Sequence, residues 1–327
     1  MKIRVPEYFI DFRCIADKCK DSCCIGWEID IDERTRAKYE ALDTPLGREI
    51  CEKTSHGCFP LSKNGRCSFL DERGLCRIIS ALGDGYLCDI CREHPRYYGV
   101  YKGGYEGGLG LGCEEAARMI LSLRSMPKFT EIERDIPYSD EDDFAELSDT
   151  LRKNLYNRIF ELSIPELIGK YLAYASAADE VAFEASASGK AVAIPKVTYA
   201  PAECEETGEI YKAFLDALSD CEALTDDWDT LMEKLEDIDA EDILRKEKAL
   251  RPLLFYFTHR YVRDGILDMS LGARVLFALG SALAVTALSE VIGVDEPEAR
   301  AVVLYSKNIE YSTDNVDMIL DGLSEFL

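Results

Sequence analysis

The sequence predicts a mainly α-helical fold with a small, irregular, cysteine-rich α+β region toward its N-terminal end. Two uneven distributions along the 327 residues predict this arrangement. Eleven of the thirteen cysteines lie at or before position 113, and the net charge is −1 over residues 1–125 but −23 over residues 126–327. We therefore expect two domains, 1–125 and 126–327, joined by the polar, proline-containing segment 125–142.

The composition limits the kinds of partner. A hydrophobic content of 47% is enough for a packed core, despite the formal net charge of −24. Such an acidic chain repels phosphate, so we expect no nucleic acid partner, and the acidic domain would attract a basic one. The longest uncharged run, 275–289, is short for a membrane span and predicts a buried helix. Since no secretory or acylation motif is visible, we expect a cytoplasmic protein with no membrane partner.

Helical periodicity dominates the acidic domain. Apolar residues such as Leu147 and Leu151 recur every three or four positions. The last helix has Thr313 or Asp314 as its predicted cap, and the proline-containing segment 190–203 predicts a loop. The predicted helices lie within 142–162, 209–224, 241–262, 273–292 and 313–327.

The cysteine-rich domain is marked by turn residues rather than by long apolar elements. Asn-Gly, Asp-Glu-Arg-Gly and Gly-Asp-Gly sequences break it into short pieces. A small region of this kind often needs a covalent or metal staple. The predicted elements are a strand through Trp27, Ile29 and Ile31, a helix within 32–42, a hairpin over 66–78, a glycine-bearing hairpin over 103–112, and a helix that opens at Cys113.

The cysteine spacing leaves three chemistries open. A disulfide framework is unusual in a reducing compartment, and thirteen is an odd number of cysteines. Structural zinc is typically held by paired C-x₂-C motifs, and only Cys88 and Cys91 have that spacing here. An iron–sulfur cluster takes thiolates from several loops at looser spacings, which favours it. Because the neighbours Cys23 and Cys24 rarely serve one metal together, we expect one to be a ligand and the other to pack or to serve a second site.

Four cysteine motifs occur in a fixed order: CIADKCKDSCCIGWEIDID, RCSFLDERGLCRI, LCDICREHPR and LGCEEAARMIL. Together with YSKNIEYSTDNVDMILDGL near the other end, they resemble the flagellin lysine-N-methylase family. That family belongs to a wider group of cysteine-cluster proteins described as zinc- or iron-chelating. The resemblance implies methylation of flagellin surface lysines, S-adenosylmethionine as methyl donor, and a [4Fe–4S] cluster, with zinc as the alternative metal.

The resemblance also implies a set of metal ligands. Eight thiols exceed the four that one cluster needs, so there are two centres or some of the eight are structural. Cys51, Cys58 and Cys88 fall outside the family's motifs, and His94 stands where an aromatic residue is expected, so their roles stay open. The implied ligands are Cys14, Cys19, Cys23, Cys24, Cys67, Cys76, Cys91 and Cys113.

The sequence does not indicate where a methyl donor would bind. The glycine-rich stretch 103–112 has no βαβ unit around it, so we interpret it as a hairpin rather than as a cofactor loop. Catalytic residues are therefore unknown. We expect Arg96 to contribute to cofactor binding, because the Pro-Arg step near Cys91 places a guanidinium beside the metal region. The other polar candidates are Glu28, Asp30, Asp32, Tyr39, Tyr97, Tyr98 and Glu114.

Two hypotheses from different classes follow. The first is an enzyme, a protein lysine methyltransferase with a cysteine-bound iron–sulfur centre and an acidic domain that recruits flagellin or another lysine-bearing protein. The second is a non-catalytic iron- or zinc-binding protein. The ordered motifs favour the first hypothesis, and the missing cofactor loop favours the second.

Overall fold

The computed structural model describes residues 1–101, 104–134, 145–188, 192–263 and 269–327. The chain forms two compact units, which do not coincide with the predicted domains. As a division of function, the split near residue 125 stays a prediction. We call the units the cysteine unit, 12–97 with 109–116, and the helical unit, 1–11 with 98–108 and 117–327.

Helices dominate the described residues, which confirms the predicted mainly α fold with a small sheet. A π-helical turn, Ser306–Glu310, and 3₁₀ turns at Ala16–Lys18 and Asp84–Tyr86 complete the helical elements. The α-helices are α1 (Glu7–Asp11), α2 (Glu33–Glu40), α3 (Pro45–Lys53), α4 (Arg77–Leu82), α5 (Asp89–Glu93), α6 (Glu114–Leu121), α7 (Ala145–Tyr156), α8 (Ile164–Ser188), α9 (Cys204–Ser219), α10 (Trp228–Leu235), α11 (Ala240–Leu244), α12 (Glu247–Tyr261), α13 (Leu271–Val291), α14 (Pro297–Tyr305) and α15 (Thr313–Ser324). The strands are β1 (Lys2–Pro6), β2 (Ile29–Asp30), β3 (Cys58–Phe59), β4 (Arg96–Tyr101), β5 (Gly104–Leu109) and β6 (Phe129–Glu133).

A four-stranded sheet has the order β4-β5-β1-β6. β1 lies inside the sheet, parallel to β5 and antiparallel to β6. Its Ile3 and Val5 are fully buried, as the two-residue alternation of a strand over an apolar core requires. Of the glycine-bearing hairpin predicted over 103–112, the described residues contain one strand, β5, whose neighbours in the sheet are β1 and β4, and β4 lies outside the predicted range.

The predicted linker over 125–142 is wrong where it crosses β6. Phe129–Glu133 pairs along its whole length with β1, from Phe129 opposite Pro6 to Glu133 opposite Lys2. Phe129 also packs under the guanidinium of Arg4, whose central carbon lies 4.1 Å from the ring centroid. Pairing with a strand more than 120 positions away is invisible in local composition. The rest of the predicted linker, 135–142, lies outside the described residues.

α13 is the predicted buried helix and the centre of the helical unit. It packs against α8, α9, α10, α12, α14 and α15, and all its residues from Leu271 to Ser289 are buried except Arg274. By length and composition alone it could cross a membrane. In the helical unit, however, 94% of its most apolar window is buried by protein.

The other helices agree with the predictions only in part. The predicted helix over 241–262 is two helices, α11 and α12, with a break at Arg245 and Lys246. α8, with 25 residues, has no counterpart among the predicted helices, because its many alanines blur the apolar stripe. The cap of α15 is Ser312 rather than Thr313 or Asp314, since the Ser312 hydroxyl accepts the Asn315 N–H at 3.1 Å.

Two buried asparagines in the C-terminal motif fix the loop between α9 and α10. Asn308 Oδ1 accepts the backbone N–H groups of Leu224 at 2.9 Å and Thr225 at 3.0 Å. Asn315 accepts the N–H of Glu222 at 2.9 Å and donates to the carbonyl of the same residue at 2.9 Å. These bonds replace the pairing that a loop backbone lacks, so they fix the angle at which α10 leaves α9.

A second network in the motif holds the buried carboxylate of Glu310, at the end of the π-helical turn. Its Oε1 accepts hydrogen bonds from the hydroxyls of Tyr256 at 2.7 Å and Tyr261 at 2.9 Å. Arg260 lies 3.3 Å from the same oxygen and supplies the opposite charge. A buried carboxylate needs this kind of compensation, so the network ties the motif to α12.

A buried charge network joins the sheet to α7 and α12. Arg152 forms an ion pair with Glu106, and both side chains are almost fully buried. Arg152 also donates to the carbonyl of His259 at 3.1 Å, and the His259 ring lies 3.1 Å from the Tyr156 hydroxyl. Burial lowers the pKa of His259 to about 4, while the Glu106 carboxylate opposes that shift. His259 is therefore neutral at pH 7.

The His259 network predicts an acid-sensitive stability. The pKa of the unfolded histidine is about 6.5. Between pH 6.5 and pH 4 the unfolded chain therefore binds a proton at this histidine that the folded chain does not, so the free energy of unfolding decreases as the pH is lowered. The stabilisation from keeping His259 neutral is complete above pH 6.5, where it amounts to about 3 kcal/mol, and it is lost as the pH falls to 4. We expect His259→Asn to flatten the decline of the thermal midpoint over this range. His56→Asn, at an exposed histidine, is the control, and equal slopes for the two variants would contradict the assignment.

The packing of α13 on α9 predicts a large effect of one methyl group. A Cβ at Gly280 would lie 2.1 Å from Cδ2 of the buried Phe214 ring, so Gly280→Ala must displace the ring. We expect a loss of about 1–3 kcal/mol in the free energy of unfolding, measured in urea. Gly208→Ala on α9 is the control: its Cβ meets open space, and it should stabilise the helix by up to about 1 kcal/mol. A neutral Gly280→Ala would disprove the contact.

Candidate metal centre

The cysteine unit has a small apolar core to which several thiols are attached. Buried Tyr39, Ile50, Phe59, Phe69 and Ile78 form most of this core together with Ile31 and Cys88. Phe59 and Phe69 meet edge to face with their ring centroids 5.6 Å apart. The cysteines packed against the core are Cys51, Cys67, Cys76, Cys88 and Cys91.

Backbone hydrogen bonds bring distant cysteine motifs together. The N–H of Cys67 donates to the carbonyl of Cys24 at 2.9 Å, which joins the first motif to the second. The predicted hairpin over 66–78 is reduced to one isolated bridge, which pairs Leu70 with Cys76. The N–H of Arg77 bonds to the carbonyl of Phe69 at 2.8 Å and closes this turn. The predicted strand near Ile29 is β2, two residues long and paired with β3.

Five thiols form one group, which we call the five-thiol group: Cys24, Cys67, Cys76, Cys88 and Cys91. Burial raises the pKa of Cys67 and Cys76, and the nearby sulfurs of Cys24 and Cys88 raise it further. Cys91 lies within the same electrostatic range of Cys24, Cys76 and Cys88. Cysteines from three motifs thus lie within electrostatic range of one another.

Two of these thiols lie at the start of short helices. Cys76 is the N-cap residue of α4 and Cys88 is that of α5. The backbone N–H groups of Ile78 and Ile79 act to lower the pKa of Cys76, although they form no full capping bond. Helix N-termini stabilise thiolates in this way, and thiolates are the form that binds metal.

Three further thiols form a second group, which we call the three-thiol group: Cys14, Cys23 and Cys113. The hydrogen bond with Cys24 and burial raise the pKa of Cys23, and the nearby sulfurs of Cys113 and Cys14 raise it further. Burial also raises the pKa of Cys113. Cys113 directly precedes α6, where the N–H groups of Glu115 and Ala116 partly offset the effect of burial. Cys23 thus lies near Cys14 and Cys113, and its contact with Cys24 links this group to the five-thiol group.

Two pairs of neighbouring thiols share a proton unevenly. The thiol of Cys23 donates to Cys24, which lowers the pKa of Cys24 to about 7 and raises that of Cys23. In the same way Cys91 donates to Cys88, so the pKa of Cys88 is lowered and that of Cys91 raised. Cys24 and Cys88 are thus the thiols most ready to ionise in each pair.

Glu114 holds the loop of the first motif in place. Its buried carboxylate accepts the N–H groups of Lys20 at 2.7 Å and Asp21 at 3.0 Å. This loop carries Cys19 at the end of its 3₁₀ turn. Because Glu114 follows Cys113, the same carboxylate fixes the loop next to the three-thiol group. Glu114, a candidate from the sequence, therefore has a positioning role.

Other polar candidates have structural partners as well. Asp32 caps α2 and also accepts the N–H of Asp89 at 2.8 Å, which ties α2 to α5. The Tyr39 hydroxyl donates to the carbonyl of Tyr86 at 2.5 Å. The carboxylate of Glu28 accepts a hydrogen bond from the thiol of Cys58 at 3.6 Å.

The cofactor role predicted for Arg96 stays a prediction. Its guanidinium carbon lies 5.3 Å from the centroid of the Phe12 ring, so the side chain stacks on an aromatic face. His94 packs edge to face with Trp27, with ring centroids 6.3 Å apart. Trp27 in turn donates to the carbonyl of Cys23 at 2.6 Å, so an aromatic layer lies over the adjacent pair.

The donor set fits a soft metal in its chemistry, but the described arrangement does not fit a single ion. All thirteen cysteines are free thiols. Among the described residues, no three His, Cys, Asp or Glu side chains converge closely enough to hold one metal ion. Around a tetrahedral zinc, with Zn–S of about 2.3 Å, sulfurs lie about 3.8 Å apart. A four-iron cluster binds each thiolate at a different iron and keeps the sulfurs further apart.

The sequence motifs missed one member of the five-thiol group. Cys88 is not among the ligands that the family resemblance implies, but it is fully buried as a member of the apolar core. Its C-x₂-C spacing with Cys91 was the available indication. The surplus of eight predicted ligands over four left a second site open, but which thiols belong to each group depends on contacts between loops that are far apart in sequence.

Comparison with known proteins identifies relatives for part of the chain. Over 127 residues, or 36% of this chain, it is 35% identical to "Lysine-N-methylase" of Salmonella choleraesuis (strain SC-B67) and of Salmonella typhimurium (strain LT2), covering 32% of each. The chain therefore spans about a third of the length of these relatives. At the same identity it covers 75% of "Flagellar biosynthetic protein FliU" of Salmonella muenchen. No family model and no solved structure matches the chain.

The helical unit and the two thiol groups define a cysteine-cluster protein. Five of its thirteen cysteines belong to a small apolar core or pack against it, and all thirteen are free thiols. The chain belongs to the flagellin lysine methylase family that includes FliU, as its identity to FliU over most of that protein shows.

Two exposed thiols provide a matched test of the predicted ligand set. Cys14 and Cys204 are both exposed, but only Cys14 is a predicted ligand. After anaerobic reconstitution with iron and sulfide, we expect alkylation of Cys14 by iodoacetamide to slow by about tenfold or more, since a bound thiolate is not a free nucleophile. Alkylation of Cys204 should be unchanged, as measured by mass spectrometry. If Cys14 reacts equally fast in protein that carries a cluster, it is not a ligand.

Proposed function

We propose that this chain is a protein lysine N-methyltransferase that modifies flagellin surface lysines, takes its methyl group from S-adenosylmethionine and contains a cysteine-bound iron–sulfur centre. The observation that carries the proposal is membership of the family of FliU and lysine-N-methylase. The match covers about a third of the chain, so the activity and partner of the whole protein are part of the proposal. The free thiols support a reducing, cytoplasmic location.

The proposed reaction is a substitution at carbon. The neutral ε-amine of a lysine attacks the methyl carbon of the sulfonium, the S–CH₃ bond breaks as the N–CH₃ bond forms, and S-adenosylhomocysteine leaves. The lysine ammonium must lose a proton before attack, and the methylated amine carries the new charge. Such a reaction depends mainly on alignment of the amine with the S–CH₃ bond.

Seven of the eight predicted ligands belong to the two thiol groups, and the eighth, Cys19, belongs to neither. Cys24, Cys67, Cys76 and Cys91 lie in the five-thiol group, and we propose that they hold a [4Fe–4S] cluster, which would supply structural support or electron transfer. The remaining predicted ligands, Cys14, Cys19, Cys23 and Cys113, would serve a second centre or stabilise the loop. Arg96 is proposed to contribute to cofactor binding near Cys91.

One observation favours the second candidate function, a non-catalytic iron- or zinc-binding protein. The glycine-rich stretch forms β5 and part of its short connection to α6, but the next strand, β6, is antiparallel to β1 whereas β5 is parallel to it, so no parallel βαβ unit surrounds the stretch. The usual phosphate or nucleotide loop of a doubly wound fold is therefore not provided by that stretch. A methyltransferase of this family must then bind its donor elsewhere.

Metal content and methyl transfer test the two functions separately. On protein purified without oxygen, we expect about four irons and four sulfides per chain for one cluster, and about eight of each for two. Cys67→Ser should lose iron and visible absorbance. Cys51→Ser is the matched control, because Cys51 also packs on the core but is not a predicted ligand.

Labelled S-adenosylmethionine and purified flagellin then test the activity. We expect label on flagellin lysines, located by mass spectrometry, with Cys67→Ser reduced and Cys51→Ser active. Protein with an intact metal centre that neither binds the donor nor transfers label would establish the non-catalytic function instead.

A further inference from the structure

A cleft of about 760 Å³ lies between α9 and α10 in the helical unit. Apolar residues line part of it, including Leu215, Met232 and Ile238. Gly208 lies at its edge, where an added Cβ would meet open space. The cleft is large enough for several side chains of a bound segment.

The cleft is strongly acidic. Five exposed carboxylates line it, and Lys212 is the basic residue among the lining side chains. No residue that the structure describes forms an ion pair with any of the five. By contrast, Glu241 and Asp242 on the next helix both pair with Arg245. The five lining carboxylates are Asp216, Asp229, Glu233, Glu236 and Asp239.

The walls of the cleft are held by the C-terminal motif. Asn308 and Asn315 bind the backbone of 222–225, which is the loop that joins the two walls. The motif that carries the resemblance to the family therefore sets the geometry of this cleft. Fixed walls lower the ordering cost when a partner binds.

We propose that this cleft docks a lysine-bearing segment of the protein substrate. The proposal rests on the proposed function, because it names the surface that recruits the lysine substrate. Lysine suits the site on both counts: its ammonium complements the unpaired carboxylates, and its aliphatic stem packs on the apolar lining.

The methyl donor fits this cleft less well. Its adenine would need an open aromatic face, but Trp228 and Tyr211 are only 2% and 4% exposed. Its carboxylate, unlike its sulfonium and ammonium groups, would be repelled by the five carboxylates of the cleft. A basic peptide segment has no such conflict.

The test measures binding directly, without catalysis. The probe is a fluorescent, helical peptide of about fourteen residues built from leucine and lysine, followed by anisotropy at low and high salt. We expect salt-sensitive binding, weakened about tenfold in Glu233→Gln/Glu236→Gln, since rim charges contribute modestly each. The matched control is Glu180→Gln/Glu184→Gln, two exposed glutamates on α8, which should bind as wild type. Gly208→Phe should block binding while Gly208→Ala should not.

Steady-state methylation of flagellin separates this proposal from the proposed function. If both hold, the charge variant raises KM for flagellin and leaves kcat unchanged. Methylation with unaltered KM and unaltered peptide binding in both cleft variants overturns the docking site and leaves the activity standing. Salt-sensitive peptide binding that the cleft variants weaken, with no methylation by any form, supports the docking site and refutes the activity. Weaker binding of S-adenosylmethionine, with peptide binding unchanged, overturns the docking site.

Discussion

The burial of α13 is the constraint on which the helical unit depends. Its run of uncharged residues has no polar face, so it must be covered on every side. α8, α9, α12 and α14 provide that cover, and small residues let them approach closely. At Gly272 and Gly280 an added Cβ would overlap the backbone of α8 and the ring of Phe214. The positions of α9 and α10, and hence of the acidic cleft, follow from this packing.

The cysteine unit solves a different problem. Its apolar core is small, and several of its members are thiols, so the core and the candidate metal centre are one structure. Hydrogen bonds between loops, such as that from the N–H of Cys67 to the carbonyl of Cys24, hold its segments together in place of long strands or helices. A metal centre would add cross-links at the point where apolar contacts are fewest.

Elements that depend on local sequence patterns could be predicted from the sequence, whereas elements that depend on contacts between distant segments could not. α13 and α9 were predictable, because an uncharged run and an apolar stripe are local properties. β6 was not, because Phe129 and Ile132 become a strand only through pairing with β1. The ordered cysteine motifs indicated a thiol-rich centre, but not that Cys88 joins it. The acidic cleft was anticipated only as an overall excess of charge, since its walls depend on Asn308 and Asn315.

The placement of the cysteines also orders events during synthesis of the chain. The five-thiol group is complete once Cys91 has left the ribosome, whereas the three-thiol group must wait for Cys113. β1 is made first, but its partner strands β5 and β6 follow only after most of the cysteine unit. The thiols of the five-thiol group thus become available to metal while the first strand of the sheet still lacks both of its neighbours.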